Sequence, residues 1–147
     1  MPVKAGQFTA LLAVSYVDMN ALPAGVLDLD NDTTNRTGIS TSVTTMATST
    51  ADVISGRTYR IVGRAYVQQV SAAGVPELHL TGSVTEMIDR ITLSSGNVDY
   101  LKGEAVVTAG ATATWTINLA VKTSAGTLST FGASVPTRLY IEDLGVL

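Results

Sequence analysis

Asp28, Asp30 and Asp32 alternate as D-x-D-x-D, the spacing with which a calcium loop begins. An EF-hand loop then needs glycine at its sixth position and glutamate at its twelfth, where this chain has Thr33 and Ile39. The motif reads instead as a polar turn whose Asp and Asn side chains bond their own backbone. His79, the only histidine, stands between Leu78 and Leu80 in an alternating run. As a general base it would need a nucleophile and an orienting carboxylate converging on it. The sequence indicates neither, so His79 reads as a surface or interface residue. Asn31-Asp32-Thr33 and Asn35-Arg36-Thr37 match the glycosylation acceptor pattern, which has meaning only along a secretory route. Glu142 and Asp143 are adjacent carboxylates, but neighbouring strand residues point to opposite faces and cannot share one site. The chain has no Walker-type loop, G-x-S-x-G turn or pair of histidines. These observations lead to the expectation of a non-enzyme with no catalytic residue, no metal ligand set and no cofactor.

The elements that would position these residues are strands. In residues 112–122, Ala113, Trp115, Ile117, Leu119 and Val121 share one parity, with Thr112, Thr114, Thr116, Asn118 and Lys122 on the other. This period of two marks a strand with one buried face. A longer strand spans residues 57–70, with Tyr59, Ile61, Gly63, Ala65 and Val67 on one face. Val62, Tyr66 and Val70 interrupt its polar face, so part of that face should meet another sheet, segment or subunit. Gly63 in mid-strand suggests a bulge or a close backbone approach. Pro76 opens a shorter strand carrying Leu78 and Leu80; others are expected at 91–93 and 98–107, and near the end Leu139 and Ile141 face away from Arg138, Tyr140 and Glu142. Thr85–Arg90 could make a single helical turn. Short strands separated by Gly/Ser turns predict an all-β fold, an antiparallel β-sandwich or jelly roll. Residues 1–38 show no sustained alternation and read as an N-terminal arm and loop, leaving residues 39–147 as the sandwich domain.

Composition narrows the function. The chain is 46% hydrophobic and only 14% charged, with a net charge of −3; roughly 25% charged is typical of soluble domains. A weakly charged, Thr-rich surface suits a protein packed against neighbours, and the charge gives no reason to expect nucleic acid or an anionic membrane as partner. Without cysteine there is neither a disulfide framework nor a thiolate metal site. The apolar run of residues 8–17 is too short to span a bilayer and lacks a cleavage site, so the chain reads as made and used without export.

Several segments resemble small β-sandwich virion proteins of tailed bacteriophages infecting actinobacteria. They are Leu22-Pro23-Ala24-Gly25-Val26, Gly56-Arg57-Thr58-Tyr59-Arg60-Ile61, the Ala113–Leu119 strand, and Pro136 followed by Leu139-Tyr140-Ile141-Glu142-Asp143-Leu144-Gly145. The ending is the most specific element; similar proteins commonly place proline after its glycine, where this chain has Val146. The resemblance implies a structural role on the virion surface after synthesis in the host cytoplasm. The protein would be a homo-oligomer, expected as a trimer, touching the major capsid protein or tail proteins. A head decoration protein is the leading expectation. A minor tail or fibre-tip protein and a non-viral carbohydrate-binding module are the alternatives. Expected interface residues are Phe8, Leu11, Leu12, Val14, Tyr16, Leu22 and Val26 near the start, with Leu144, Val146 and Leu147 near the end.

Overall fold

The computed structural model describes residues 23–147, which form ten strands and no helix. In chain order they are β1 (Gly25–Asp32), β2 (Asn35–Ile39), β3 (Thr44–Val53), β4 (Thr58–Ser71), β5 (Pro76–Gly82), β6 (Glu86–Arg90), β7 (Val98–Thr108), β8 (Ala113–Thr123), β9 (Thr127–Phe131) and β10 (Thr137–Gly145). All pairings are antiparallel, and two sheets stack as a sandwich. The larger is organised around β4. Strand β7 lies along one side of it; β10 and β9 share the other side, flanked in turn by β1 and β2. The smaller sheet runs β3-β8-β5-β6.

The core forms where the two strongest alternations face each other. Tyr59, Ile61, Ala65 and Val67 of β4 are buried against Ile117, Leu119 and Val121 of β8, with Leu78, Leu80, Leu101, Leu139 and Ile141 closing the layer. Each large apolar side chain buried in this way contributes about 1.5–3 kcal/mol, enough to hold the register against a one-residue slip. Trp115 sits at the rim of the core, half-buried, its ring edge-on to Tyr59 at 5.4 Å.

The suspected close approach at Gly63 is present, and the bulge is not. The ladder runs through Gly63 without a break, pairing it with Leu139 on one side and Gly103 on the other. A Cβ on Gly63 would lie 2.3 Å from Leu119 Cδ1, and one on Gly103 would lie 2.1 Å from the Ile88 carbonyl oxygen. This glycine pair hollows the larger sheet where β6 crosses it.

Three sequence expectations are corrected. The stretch of 25–38 read as arm and loop, and the boundary at 38/39, give way to β1 and β2, which belong to the larger sheet. Hydropathy could not reveal β1, because its inward positions are Asp28, Asp30 and Asp32 rather than apolar residues. Thr85–Arg90 is not a helical turn; Glu86–Arg90 is β6, held by pairing to β5 and by the Asp89 carboxylate, which accepts the Lys102 N–H at 2.8 Å. Ile91–Leu93 is no strand but carries a single bridge, Leu93 to Gly74. Strands β3 and β9 are additional: β3 buries small residues, Ala47, Ser49 and Ala51, which make a faint pattern.

Candidate functional site

The three aspartates at 28, 30 and 32 act as structural acceptors. Asp28 Oδ2 takes the Thr50 N–H at 2.7 Å and the Ser49 hydroxyl at 2.9 Å, and Asp30 Oδ2 takes the Thr48 N–H at 2.8 Å. Strand β1 of one sheet thereby caps the free edge of β3 in the other, which also blocks that edge from pairing with a foreign strand. The Thr50 N–H holds the Asp28 carboxyl below its ordinary value of 3.8, against the opposing pull of partial burial. Asp32 accepts the Thr34 N–H at 2.9 Å and Arg36 Nη2 at 2.6 Å. Partial burial pushes its carboxyl up, and the bonds from Thr34 and Arg36 outweigh that and bring it below 3.8. Among the described residues no group of three or more acidic, His or Cys side chains is arranged to hold a metal ion.

His79 lies on the outer face of the smaller sheet. Its Nε2 is 2.8 Å from Glu77 Oε2, which also meets Lys122 Nζ at 3.1 Å. The His79 hydrogen bond, with help from Lys122, lowers the Glu77 carboxyl below 4.5. Around this trio the face is built of polar pairs, such as the Thr48 hydroxyl donating to Asn118 Oδ1 at 2.8 Å and the Thr114 hydroxyl to Asp52 Oδ1 at 2.6 Å.

The segments 56–61 and 139–145, far apart in sequence, are ladder partners: Arg60 faces Glu142, Tyr59 faces Asp143 and Thr58 faces Gly145. The two adjacent acids separate as strand geometry requires. Glu142 points outward and takes Arg60 Nε at 2.8 Å, an interaction that raises the Arg60 guanidinium above its ordinary value. Asp143 is buried; its Oδ2 receives Arg57 Nε at 2.9 Å and Nη2 at 2.7 Å, and its Oδ1 takes the Gly145 N–H at 2.7 Å. Gly145 has φ 87°, a left-handed conformation that disfavours other residues. Tyr59 completes the clasp, its hydroxyl oxygen accepting the Ile54 N–H at 2.8 Å.

The outer face of the larger sheet differs from its Thr-rich counterpart. Tyr66 packs on Tyr100 at 4.7 Å and on Phe131 at 5.9 Å. Leu29 and Val106 are 51% and 54% exposed on the same face. Of the expected interface residues, Val26 stands opposite Glu142 at the end of this sheet where β10 finishes. Leu144 is half-buried there, while Val146 and Leu147 beyond it are 56% and 85% exposed, so the tail does not dock on the described part of its own chain. The structure thus brings Val26 and the tail residues to one end of the larger sheet. Phe8, Leu11, Leu12, Val14, Tyr16 and Leu22 lie outside the described residues.

These features define an antiparallel β-sandwich whose larger sheet presents aromatic and apolar side chains outward. No family model matches the sequence, and no curated protein matches it either. Among solved structures the chain is similar to the Eiger TNF protein of S. frugiperda, at 12% identity over 86% of this chain and 95% of that one, with a TM-score of 0.52. It is also similar to a chain of the T13 IBDV viral particle, at 14% identity over 80% of this chain and 35% of that one, with a TM-score of 0.48. The xylan-binding CBM22-2 domain of Paenibacillus barcinonensis Xyn10C matches at 14% identity over 78% of this chain and 88% of that one, with a TM-score of 0.38. This chain spans about a third of the viral chain's length. At such identities the likeness to the Eiger protein shows the fold alone.

Proposed function

We propose that the chain is a structural virion protein of a tailed bacteriophage, a capsid decoration protein that stabilises the head surface through oligomeric contacts, expected as a homotrimer. It performs no chemistry in this reading. The observation that carries it is the set of large apolar side chains left in water on one sheet face and on the tail: Val26, Leu29, Val106, Val146 and Leu147. We read these side chains as contact points, and copies related by symmetry would repeat each contact over a lattice. Two of the segments that carry the sequence resemblance, 56–61 and 139–145, meet in one buried ion pair.

The Tyr66–Tyr100–Phe131 cluster favours a second reading, a minor tail or fibre-tip protein that contacts the host surface. Sedimentation with virion heads and with isolated tails, each depleted of the protein, separates the two. Saturable binding to heads at lattice stoichiometry is the expected result. Binding to tails at a few copies would replace decoration with the tail role, and binding to neither would end both.

A further inference from the structure

Across β10, β4 and β7 one register row on the outer face of the larger sheet reads Arg138, Arg64, Lys102. Side chains directly opposite on neighbouring strands stand about 4.5–5.5 Å apart at Cβ, and like charges so placed destabilise a sheet. Among the described residues no carboxylate lies within ion-pairing distance of any of the three. The nearby acids are committed elsewhere: Glu104 of the next row and Glu142 of the row beyond it both turn to Arg60, and Asp89, reaching over from β6, accepts the Lys102 backbone N–H. The Nε of Arg64 is buried without a hydrogen-bond partner among the described residues. These cations, with Val62, Gly63 and Tyr140, line a shallow depression of about 240 Å³. Tyr66 and Tyr100 form the next row on one side, and Tyr140, Val62 and Glu104 the next on the other.

We infer that this row docks an acidic, extended segment of a partner protein. The inference rests on the assembly reading above and names the face and the partner chemistry for it. Arg and Tyr on a flat face are the residue types that dominate protein interfaces, and the row carries three positive charges in a chain whose net charge is −3. Alternate side chains of an extended segment lie about 6.5–7 Å apart, so two of its acids fit against the row of three cations. A guanidinium fork binds carboxylate in two parallel hydrogen bonds. The exposed Leu29, Val98 and Val106 around the row favour a protein over an anionic glycan or nucleic acid, because they need apolar counterparts.

The test is a two-dimensional NMR titration of the full ¹⁵N-labelled chain with a capped peptide alternating Glu with Val. The same peptide with Lys for Glu, hexagalacturonate and a short single-stranded oligonucleotide serve as rivals. Shifts should appear at the amides of 62–66, 100–104 and 138–141 and weaken with salt. The double variant Arg64→Glu/Arg138→Glu should weaken binding at least tenfold while the remaining spectrum stays in place; Arg138→Gln, which removes one like charge, should lower affinity with an unchanged or higher melting temperature. Absence of shifts, shifts indifferent to charge reversal, or tighter binding of either rival polymer at these amides would overturn the inference. So would concentration-dependent broadening of the same amides without peptide, which would assign the face to a second copy. Heads that bind the double variant as tightly as the parent would remove this docking row and leave decoration standing. Loss of head binding by the parent with peptide binding intact would do the reverse.

Discussion

Asp143→Ala separates the two acids of the Glu142-Asp143 pair. Asp143 is 4% exposed and accepts from Arg57 Nε, Arg57 Nη2 and the Gly145 N–H. Its removal leaves a guanidinium in a site with side-chain exposure of only 8% without that counter-charge, and strips Gly145 of its acceptor. Breaking a buried pair from one side costs about 3–5 kcal/mol. At roughly 4 °C per kcal/mol for a chain near 150 residues, the melting midpoint should fall by about 12–20 °C. Asp143→Asn keeps an acceptor for the glycine and should lose less. Arg57→Met combined with Asp143→Asn should recover part of the loss, since neither charge of the pair is then buried without the other. Glu142→Ala, one residue away, removes a solvent-screened partner of Arg60 and should barely move the midpoint. With the single variant Arg57→Met added, urea unfolding of the parent, Arg57→Met, Asp143→Asn and their double variant gives the coupling energy. A loss below about 1 kcal/mol for Asp143→Ala, or equal losses at 142 and 143, would refute the assignment of the clasp, given the difference in burial.

Acid should loosen the seam between β1 and β3 at Asp28 and the Asp32–Arg36 link beside it. Asp28 and Asp32 titrate below 3.8 in the folded chain, so their contribution is fully present above that value and is lost as pH falls through their depressed folded values. Urea midpoints should hold steady from neutral pH to about 5 and fall below about 4, with Asp28→Asn flattening that fall. Gly103→Ala forces a Cβ onto the Ile88 carbonyl and should cost about 1–3 kcal/mol by chemical denaturation. Gly110→Ala, with open space around it, should be neutral or stabilising by up to about 1 kcal/mol. Val146→Ser with Leu147→Ser should leave unfolding unchanged and weaken self-association by about tenfold or more, read by analytical ultracentrifugation, if each side chain is buried between copies.

Where one strand face is apolar, the sequence was sufficient. The parity of Tyr59, Ile61, Ala65 and Val67, of Ile117, Leu119 and Val121, and of Leu139 and Ile141 sets both the all-β class and which face is buried. The opposite directions of Glu142 and Asp143 follow from strand geometry alone. Strand β1 escaped because its inward positions hold carboxylates, which inverts the usual pattern, and β3 because most of its inward positions hold small residues, which leaves the pattern faint. Strand β6 escaped because its short run is decided by what it pairs with, not by its own propensity.

The chain by itself thus determined period, and period determines class, because each apolar side chain reports its own preference for water or core. Partnership was decided only by the tertiary structure. Which carboxylate caps which edge, that Arg57 meets Asp143 across 86 residues of sequence, and that Arg138, Arg64 and Lys102 fall in one row all depend on inter-strand register. Register is a joint property of strands distant in the chain, fixed by the packing of the whole core.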